Sequence, residues 1–338
     1  FLYHNKVYSF VSKNKFKKLL KNENPDIVHI HNVIGGLTFS ILIVCRELRI
    51  PVVATIHDFR LLCPAYVFID GKKNICEKCK YGNFSNCIFN NCAPEGFMKS
   101  CLITLESYLR SFFIPFDEYI TRFIFVSNFS KSKFLETNYN LASKSYSLYN
   151  FTPKIEFSKK NLNDKHFLFI GRLSREKGLV LLLEAFRQLP KQKLLIAGDG
   201  DLRDSLISNK TENIEFLGHK DRAELIRIIN NSYFLIVPSE CYENNPMSIV
   251  ESFSLGTPVI GSDLGGIPEV ILDSGGGFLF KNRDVNSLID VLTKAASIED
   301  DVYSTICMKA FNFAEKQFNA QTHYNTLINI YQDAIKNY

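Results

Sequence analysis

PSECYENNPMSIVESFSLGTPVIGSDLGGIPEV, running from Pro238 to Val270, reads as a loop, a short apolar helix, a strand and a second turn, with seven residues between Glu243 and Glu251. Asn245 is a natural N-cap and Pro246 suits a first helical position, so a helix is expected to start there. Its free backbone N–H groups would then aim at the preceding loop, and a phosphate docks readily on such an end. Glu243 falls in that loop and Glu251 more than one turn into the helix. Two carboxylates repel phosphate, so their expected work beside it is to accept hydrogen bonds from the hydroxyls of a sugar or a ribose. Taken alone, the pair also fits two surface acids.

Working outward, the same alternation surrounds this stretch. HFLFIGRL precedes the helical LVLLLEAFRQL, KLLIAG precedes DLRDSLIS, IEFLGH precedes RAELIRIIN, FLIVPS precedes PMSIVESFSLG, and PVIGS follows. Five strands with four helical connections predict a doubly wound parallel α/β sheet, with ligand at the carboxyl ends of the strands. At one such end lies GRLSREKG, Gly171 to Gly178. Arg172 can fork onto two phosphate oxygens, Lys177 adds a point charge, and Gly178 lets backbone come close. By itself the loop reads equally as a solvated basic turn. A dinucleotide fingerprint fails, because GDGDLR from Gly198 places Arg203 where the third glycine belongs.

Towards the amino terminus, DIVHIH, PVVATIHD and RFIFVS read as strands, with LTFSILIVCREL and SKSKFLE as helices. The polar segment Pro153 to Lys165 interrupts the pattern and is taken as the boundary, giving domains at 1–152 and 153–315 and a final segment at 316–338. Two domains are the default for 338 residues. Hydrophobic residues at 46% and charged residues at 22% exclude a disordered chain. The net charge of +5 suits an anionic ligand or an acidic membrane surface and is too small to argue for nucleic acid. The apolar run Val33 to Cys45 is too short to span a bilayer, and no signal-peptide pattern opens the sequence. The expectation is a cytoplasmic protein whose charge allows peripheral contact with the cytoplasmic membrane.

Five of the nine cysteines fall between Cys63 and Cys92. Cys76-x2-Cys79 and Cys87-x4-Cys92 have the spacing of a structural zinc site, with Cys63 as a substitute ligand. Two disulfides are the rival, disfavoured in a cytosolic setting, and free thiols are the alternative. A zinc-dependent nucleic-acid module would use Lys78 and Lys80 beside Tyr81 and Phe84, but one small loop cannot account for the remaining chain.

GRLSREKG, AGDG, FLGH and the block containing Glu243 and Glu251 resemble the retaining glycosyltransferases of family 4, the group 1 class. NPDIVHIHN, PVVATIHDFRLLCP and FVSNFSKSKF resemble the acceptor-domain segments of its bacterial polysaccharide members, and the cysteine-bearing loop resembles one found among them. The resemblance implies a GT-B fold, two facing Rossmann-like domains with a nucleotide-sugar between them. It implies a UDP- or GDP-sugar donor, a glycan or lipid-linked acceptor, front-face transfer with retention, and no metal in catalysis. Arg172 and Lys177 would hold the donor diphosphate, Glu251 the ribose, and Glu243 the sugar hydroxyls, with His57 facing the sugar from the first domain. His57 could instead be a strand-end histidine bonded to Asp58. Where the family usually carries Gly-Phe-Gly after the first glutamate, Asn244, Asn245 and Pro246 stand here.

Family members begin with a strand, a glycine-rich loop and a helix ahead of the strand corresponding to NPDIVHIH. The resemblance thus implies that roughly two strand-and-helix units, on the order of 60 residues, are absent from the first domain. A partial sequence and a truncated, catalytically impaired nucleotide-binding remnant both answer to this. The last helix, about Gln321 to Lys336, is expected to cross back to the first domain through Tyr324, Leu327, Ile328 and Tyr331, which keep helical spacing.

Overall fold

The computed structural model describes residues 8–32, 37–153 and 165–338. Most of the polar segment read as the boundary, residues 154–164, lies outside them. Contacts divide the chain into two units, Phe1–Leu148 with Tyr324–Tyr338, and Tyr149–His323.

The first unit runs α1 (Phe10–Glu23), β1 (Val28–His31), α2 (Ser40–Glu47), β2 (Val52–Ile56), α3 (Asn86–Phe89), α4 (Phe97–Phe113), α5 (Phe116–Tyr119), β3 (Arg122–Phe125), α6 (Asn128–Leu135) and β4 (Ser145–Ser147). Ser9 caps α1 by accepting from Ser12 N at 3.1 Å, and Ser127 caps α6 by accepting from Ser130 N at 3.1 Å, each satisfying a donor that the helix leaves open. The strands pair in the order β1-β2-β3-β4, all parallel. VVATI and RFIF are buried along their whole length, as strands covered on both faces must be.

The second unit runs β5 (His166–Ile170), α7 (Leu179–Gln188), β6 (Lys193–Ala197), α8 (Arg203–Ser208), β7 (Ile214–Gly218), α9 (Arg222–Asn231), β8 (Phe234–Val237), α10 (Met247–Ser254), β9 (Val259–Ser262), α11 (Ile267–Ser274), β10 (Gly277–Phe280), α12 (Val285–Ala296) and α13 (Asp300–Gln317), leading into α14 (Ala320–Lys336). Among the described residues its parallel sheet has the order β10-β9-β8-β5-β6-β7. Alternation along β5 divides two cores. Phe167 and Phe169 pack with Leu182, Phe186 and Ile196 on one side, and Leu168 packs with Ile229, Val250 and Phe253 on the other. The expectation of five strands missed β10, an edge strand that is only partly buried over Gly277, Phe278 and Leu279. Chain order reverses between β5 and β8, which makes their carboxyl ends the crevice of this sheet.

Within the first unit, α14 covers β2 and β3, with Ile330 and Ala334 buried against Val53 and Ile124 and with Leu327 and Tyr331 packed beside them. Tyr324 stays exposed. Asp333 accepts from the Arg122 guanidinium and, at 2.7 Å, from the Tyr146 hydroxyl. Those two hydrogen bonds hold its carboxyl below the ordinary aspartate value. A depressed carboxylate stabilises the fold above its unfolded pKa, and that stabilisation is lost as pH falls through the folded one. Asp333→Asn is therefore expected to lower the melting temperature at neutral pH, with the gap from wild type closing as the medium is acidified below the usual aspartate range. A gap independent of pH in a melting series would contradict this.

Candidate functional site

Backbone contacts stitch the loops after β5, β6, β8 and β9 together. Gly178 has φ +72°, and a Cβ there would lie 1.9 Å from Pro238 O, so the GRLSREKG loop rests directly on the loop after β8. Glu240 N donates to Glu176 O at 2.8 Å, and Leu173 N donates to Asp199 O at 2.9 Å. Gly266 N donates to Glu243 O at 2.6 Å, and a Cβ on Gly266 would lie 2.0 Å from Asn244 O. The glycines of GRLSREKG and GSDLGG are thus what allows a basic loop and an acidic loop to share one strand-end surface.

Lys177 and Glu243 are brought together there. Lys177 Nζ lies 2.6 Å from Glu243 Oε1, which also accepts from Ser239 Oγ at 2.8 Å. Burial opposes the charge on Lys177, yet the Glu243 carboxylate outweighs it and holds the ammonium above the ordinary lysine value. An ammonium has three donors, so two remain beyond the bond to Glu243. Arg172 is not part of that pair; its Nη2 reaches Glu176 Oε1 at 2.8 Å and its side chain is 62% exposed. Glu251 sits on α10, half-buried, and makes no hydrogen bond or ion pair with any described residue. Burial raises its carboxyl above the usual range, with Arg222 pulling the other way.

The start of α10 differs from the expectation by one residue. Pro246, not Asn245, is the N-cap, Met247 is the first helical residue, and no side chain caps the end. Asn245 is otherwise engaged, its Oδ1 accepting from Asn150 N at 2.9 Å and its carbonyl from Asn150 Nδ2 at 3.0 Å. That ladder fixes Asn245 in place ahead of the helix and leaves its buried Nδ2 without a partner among the described residues. Asn244 is buried beside it.

In the first unit, His57 follows β2 and its Nε2 lies 2.8 Å from His31 Nδ1. Asp58, the partner weighed for His57 from sequence, accepts from Arg60 N at 2.9 Å and acts on the His57 ring by its charge. His29 Nδ1 lies 2.6 Å from the Tyr331 hydroxyl, and its Nε2 lies 2.8 Å from Thr55 Oγ1. Burial, reinforced by His31, lowers the His57 imidazole below the ordinary histidine value, and burial lowers His31 as well. Thr55, His57, Asp58 and Arg60 line one recess with Asn32 and Phe39. The sequence reasoning singled out His57 and passed over His29 and His31. The signal was present: H-x-H in β1 beside T-x-H running from β2 into the residue after it puts the four side chains on one face of paired parallel strands.

The sequence model for "Glycosyl transferases group 1" matches residues 150–305, and that for "Glycosyltransferase Family 4" matches residues 1–150. The chain belongs to the group 1, family 4 glycosyltransferases. This glycosyltransferase chain is 22% identical over 267 residues to an uncharacterized 42.6 kDa protein in the cps region of Klebsiella pneumoniae, covering 78% of this chain and 64% of that protein. It is 28% identical over 177 residues to the amylovoran biosynthesis glycosyltransferase AmsK of Erwinia amylovora, covering 48% of this chain and 43% of AmsK. The chain thus spans less than two thirds of the length of either relative. Among solved structures it is similar to a glycosyltransferase from Rickettsia africae, with TM-score 0.69, 18% identity, and coverage of 97% of this chain and 81% of that one. It is also similar to Anabaena Alr3699/HepE in complex with UDP, with TM-score 0.67, 17% identity, and coverage of 95% and 82%. These likenesses give the glycosyltransferase the GT-B fold.

The expectation of zinc on Cys76, Cys79, Cys87 and Cys92 is not supported in this glycosyltransferase. Among the described residues no group of three or more histidine, cysteine or acidic side chains is disposed to hold a metal. Cys79, Cys87 and Cys92 gather instead around Phe84 and Ile103 as a small apolar core, a role that thiols fill well. Burial pushes Cys63 up to about 11 and Cys79 up to about 12, which keeps both protonated. Cys79 Sγ donates to Phe84 O at 3.9 Å. The hydrogen bond from Cys92 lowers Cys87 below the ordinary thiol value, and the same bond raises Cys92. The loop thus holds one paired thiol couple where four thiolates were expected.

Proposed function

We propose that this chain transfers a sugar from a UDP- or GDP-linked donor to a hydroxyl of a glycan or lipid-linked acceptor, with retention, in the assembly of a bacterial surface polysaccharide. The observation that carries the reading is Glu251, a half-buried carboxylate with no hydrogen bond or ion pair among the described residues, on the helix that follows the loop of the Lys177–Glu243 pair. A ribose offers two hydroxyl donors to such an acceptor. The crevice position of the loops after β5 and β8 agrees with nucleotide binding, and the UDP in the Anabaena structure agrees with a uridine donor.

In the proposed step the acceptor oxygen bonds to the anomeric carbon on the face from which the diphosphate departs. The bond between that carbon and the diphosphate oxygen breaks, and the acceptor proton passes to the departing diphosphate. Lys177, through the two N–H groups not given to Glu243, and the exposed fork of Arg172 offset the charge that grows on the leaving group, and the uncapped start of α10 adds backbone donors. The step is therefore written without a metal ion. Glu243 and Asn245 Nδ2, which has no partner among the described residues, would orient the sugar, with Asn244 and Pro246 setting the loop.

Proton NMR of the product tests the stereochemistry. With a donor of α configuration the new glycosidic bond is expected to be α; a β bond would overturn retention and leave donor binding standing.

A further inference from the structure

Helix α4 is built inside out. Its buried stripe is Ser100, Thr104, Ser107 and Arg110, whereas Phe97, Met98, Leu105, Phe112 and Phe113 are 58%, 72%, 56%, 79% and 65% exposed. Met98, Leu105 and Phe112 recur every seven residues, two turns apart, and so share one outward face. A helix on a soluble domain ordinarily turns its apolar stripe to the core.

The inversion is fixed by hydrogen bonds. Ser100 Oγ accepts from Ala93 N at 3.0 Å, Thr104 Oγ1 donates to Phe84 O at 3.4 Å, and Ser107 Oγ donates to Ile103 O at 2.8 Å. Arg110, buried at 3% exposure, donates to Arg60 O at 3.1 Å and to Glu106 at 3.1 Å. Rotating α4 to bury the phenylalanines would break the bonds that leave the helix, to Ala93, Phe84 and Arg60, and strand Ser100, Thr104 and Arg110, and an unsatisfied buried polar group is costly. The apolar face is therefore held outward by the fold itself. It continues onto α3, where Phe89 is 83% exposed; α3 is tied to α4 by Ser85 N donating to the Tyr108 hydroxyl at 3.0 Å and by Phe84 against the Tyr108 ring at 5.2 Å.

Lysines flank the α3 end of this face, with Asp70 partly buried behind them and Glu95 exposed ahead of α4. Lys72 and Lys78 are exposed. Lys72 follows Gly71, whose N–H donates to Asn90 O beside Phe89, and the carbonyl of Lys78 accepts from Asn86 at the start of α3. Of the nearby carboxylates, Glu77 is held by Lys80 and Lys133, Glu136 by Lys80, and Glu106 by Arg110; Glu95 is exposed ahead of Phe97. Bulky apolar side chains along one helix face, with exposed lysines at the adjoining α3 end, match a helix that lies in the plane of an anionic membrane surface. No helix among the described residues is long and apolar enough to cross a membrane, which leaves a surface-lying arrangement.

We propose that the outward face of α4, with Phe89 of α3, docks on an anionic lipid bilayer, seating Phe97, Met98, Leu105, Phe112 and Phe113 at the level of the headgroups and setting Lys72 and Lys78 over lipid phosphates. The proposal goes beyond sugar transfer and stands apart from it, because its test reads lipid contact and not activity.

The chain contains no tryptophan, so Phe112→Trp supplies a single emitter at an exposed site. With vesicles of phosphatidylglycerol and phosphatidylethanolamine its emission is expected to shift to shorter wavelength and to be quenched by lipids brominated on the acyl chains. In flotation, Met98→Ser with Phe113→Ser is expected to lower the partition coefficient by about tenfold or more, with an unchanged circular dichroism spectrum. Lys72→Glu and Lys78→Glu, which leave the apolar face intact, are each expected to lower it by about fivefold on the anionic vesicles. Emission unmoved by any vesicle would overturn the proposal. So would a shift that follows protein concentration without lipid, which would make the occupant a second copy of the chain.

Discussion

Lys177→Ala is expected to lower turnover by about 10²–10³ while loosening donor binding by much less. In the ground state Lys177 already has a carboxylate partner, Glu243 at 2.6 Å, so part of its charge is spoken for before the donor breaks. As the bond to the anomeric carbon lengthens, negative charge moves onto the diphosphate, and the remaining ammonium donors gain most at that moment. An interaction that strengthens in the transition state appears in kcat and not in affinity. The substitution also leaves Glu243, 14% exposed, without its cation, so a melting curve must accompany the kinetics to show that the fold persists. A pure affinity loss with normal turnover would remove Lys177 from the role assigned to it. Arg172→Ala is expected to be the milder change, because its fork is largely exposed and rests on Glu176.

Gly178→Ala should destabilise the second unit by about 3 kcal/mol or more. Two costs add at this position. The backbone is left-handed at φ +72°, and a Cβ would lie 1.9 Å from the carbonyl oxygen of Pro238, so the loop carrying Lys177 must lift off the loop carrying Glu243. Gly218, at the end of β7, separates the two effects. It has φ +70° with nothing within 4 Å of a built Cβ, so Gly218→Ala should cost only the conformational share, about 1–2 kcal/mol. Urea melts of both variants, followed by circular dichroism, measure the difference. Equal costs at the two positions would mean that the close approach of the two loops does not hold the site together.

The alternation of short apolar strands with helical stretches made both parallel sheets legible, because strands covered on two faces must be apolar throughout and need crossover helices. The strands β4 and β10 escaped because an edge strand lacks that unbroken apolar signature. Glu243, Glu251, Arg172 and Lys177 could be picked out because each falls in or beside a loop after a strand, and loop composition near strand ends is a local property. Partnerships between distant residues were not legible. Nothing in the spacing of Lys177 and Glu243 announces a 2.6 Å pair, and nothing in HIH announces that His29 would meet Tyr331 some three hundred residues later. Asn245 was read as a cap on its residue type, and its tie to Asn150 displaced that role by one position. The cysteines show the same limit from the other side. Their spacing suited zinc, but packing around Phe84 decided what the thiols do. Helix α4 shows it most plainly, since its apolar residues were there to be read but which side of the helix would face inward depended on Arg60, Phe84 and Ala93.

The central claim is that Glu251 receives the ribose of a donor nucleotide at the strand ends of the second unit. Isothermal titration of the chain with UDP and with GDP, repeated for Glu251→Gln, tests it directly. One of the two nucleotides is expected to bind, and Glu251→Gln is expected to weaken it by about tenfold or more, as loss of a hydrogen bond to a charged acceptor should. Because burial raises the Glu251 carboxyl, the wild-type affinity should also fall as the pH is lowered through that raised value, where the acceptor becomes protonated, and the variant should not share that fall. Binding of neither nucleotide, or binding that Glu251→Gln leaves unchanged at every pH, would contradict the account.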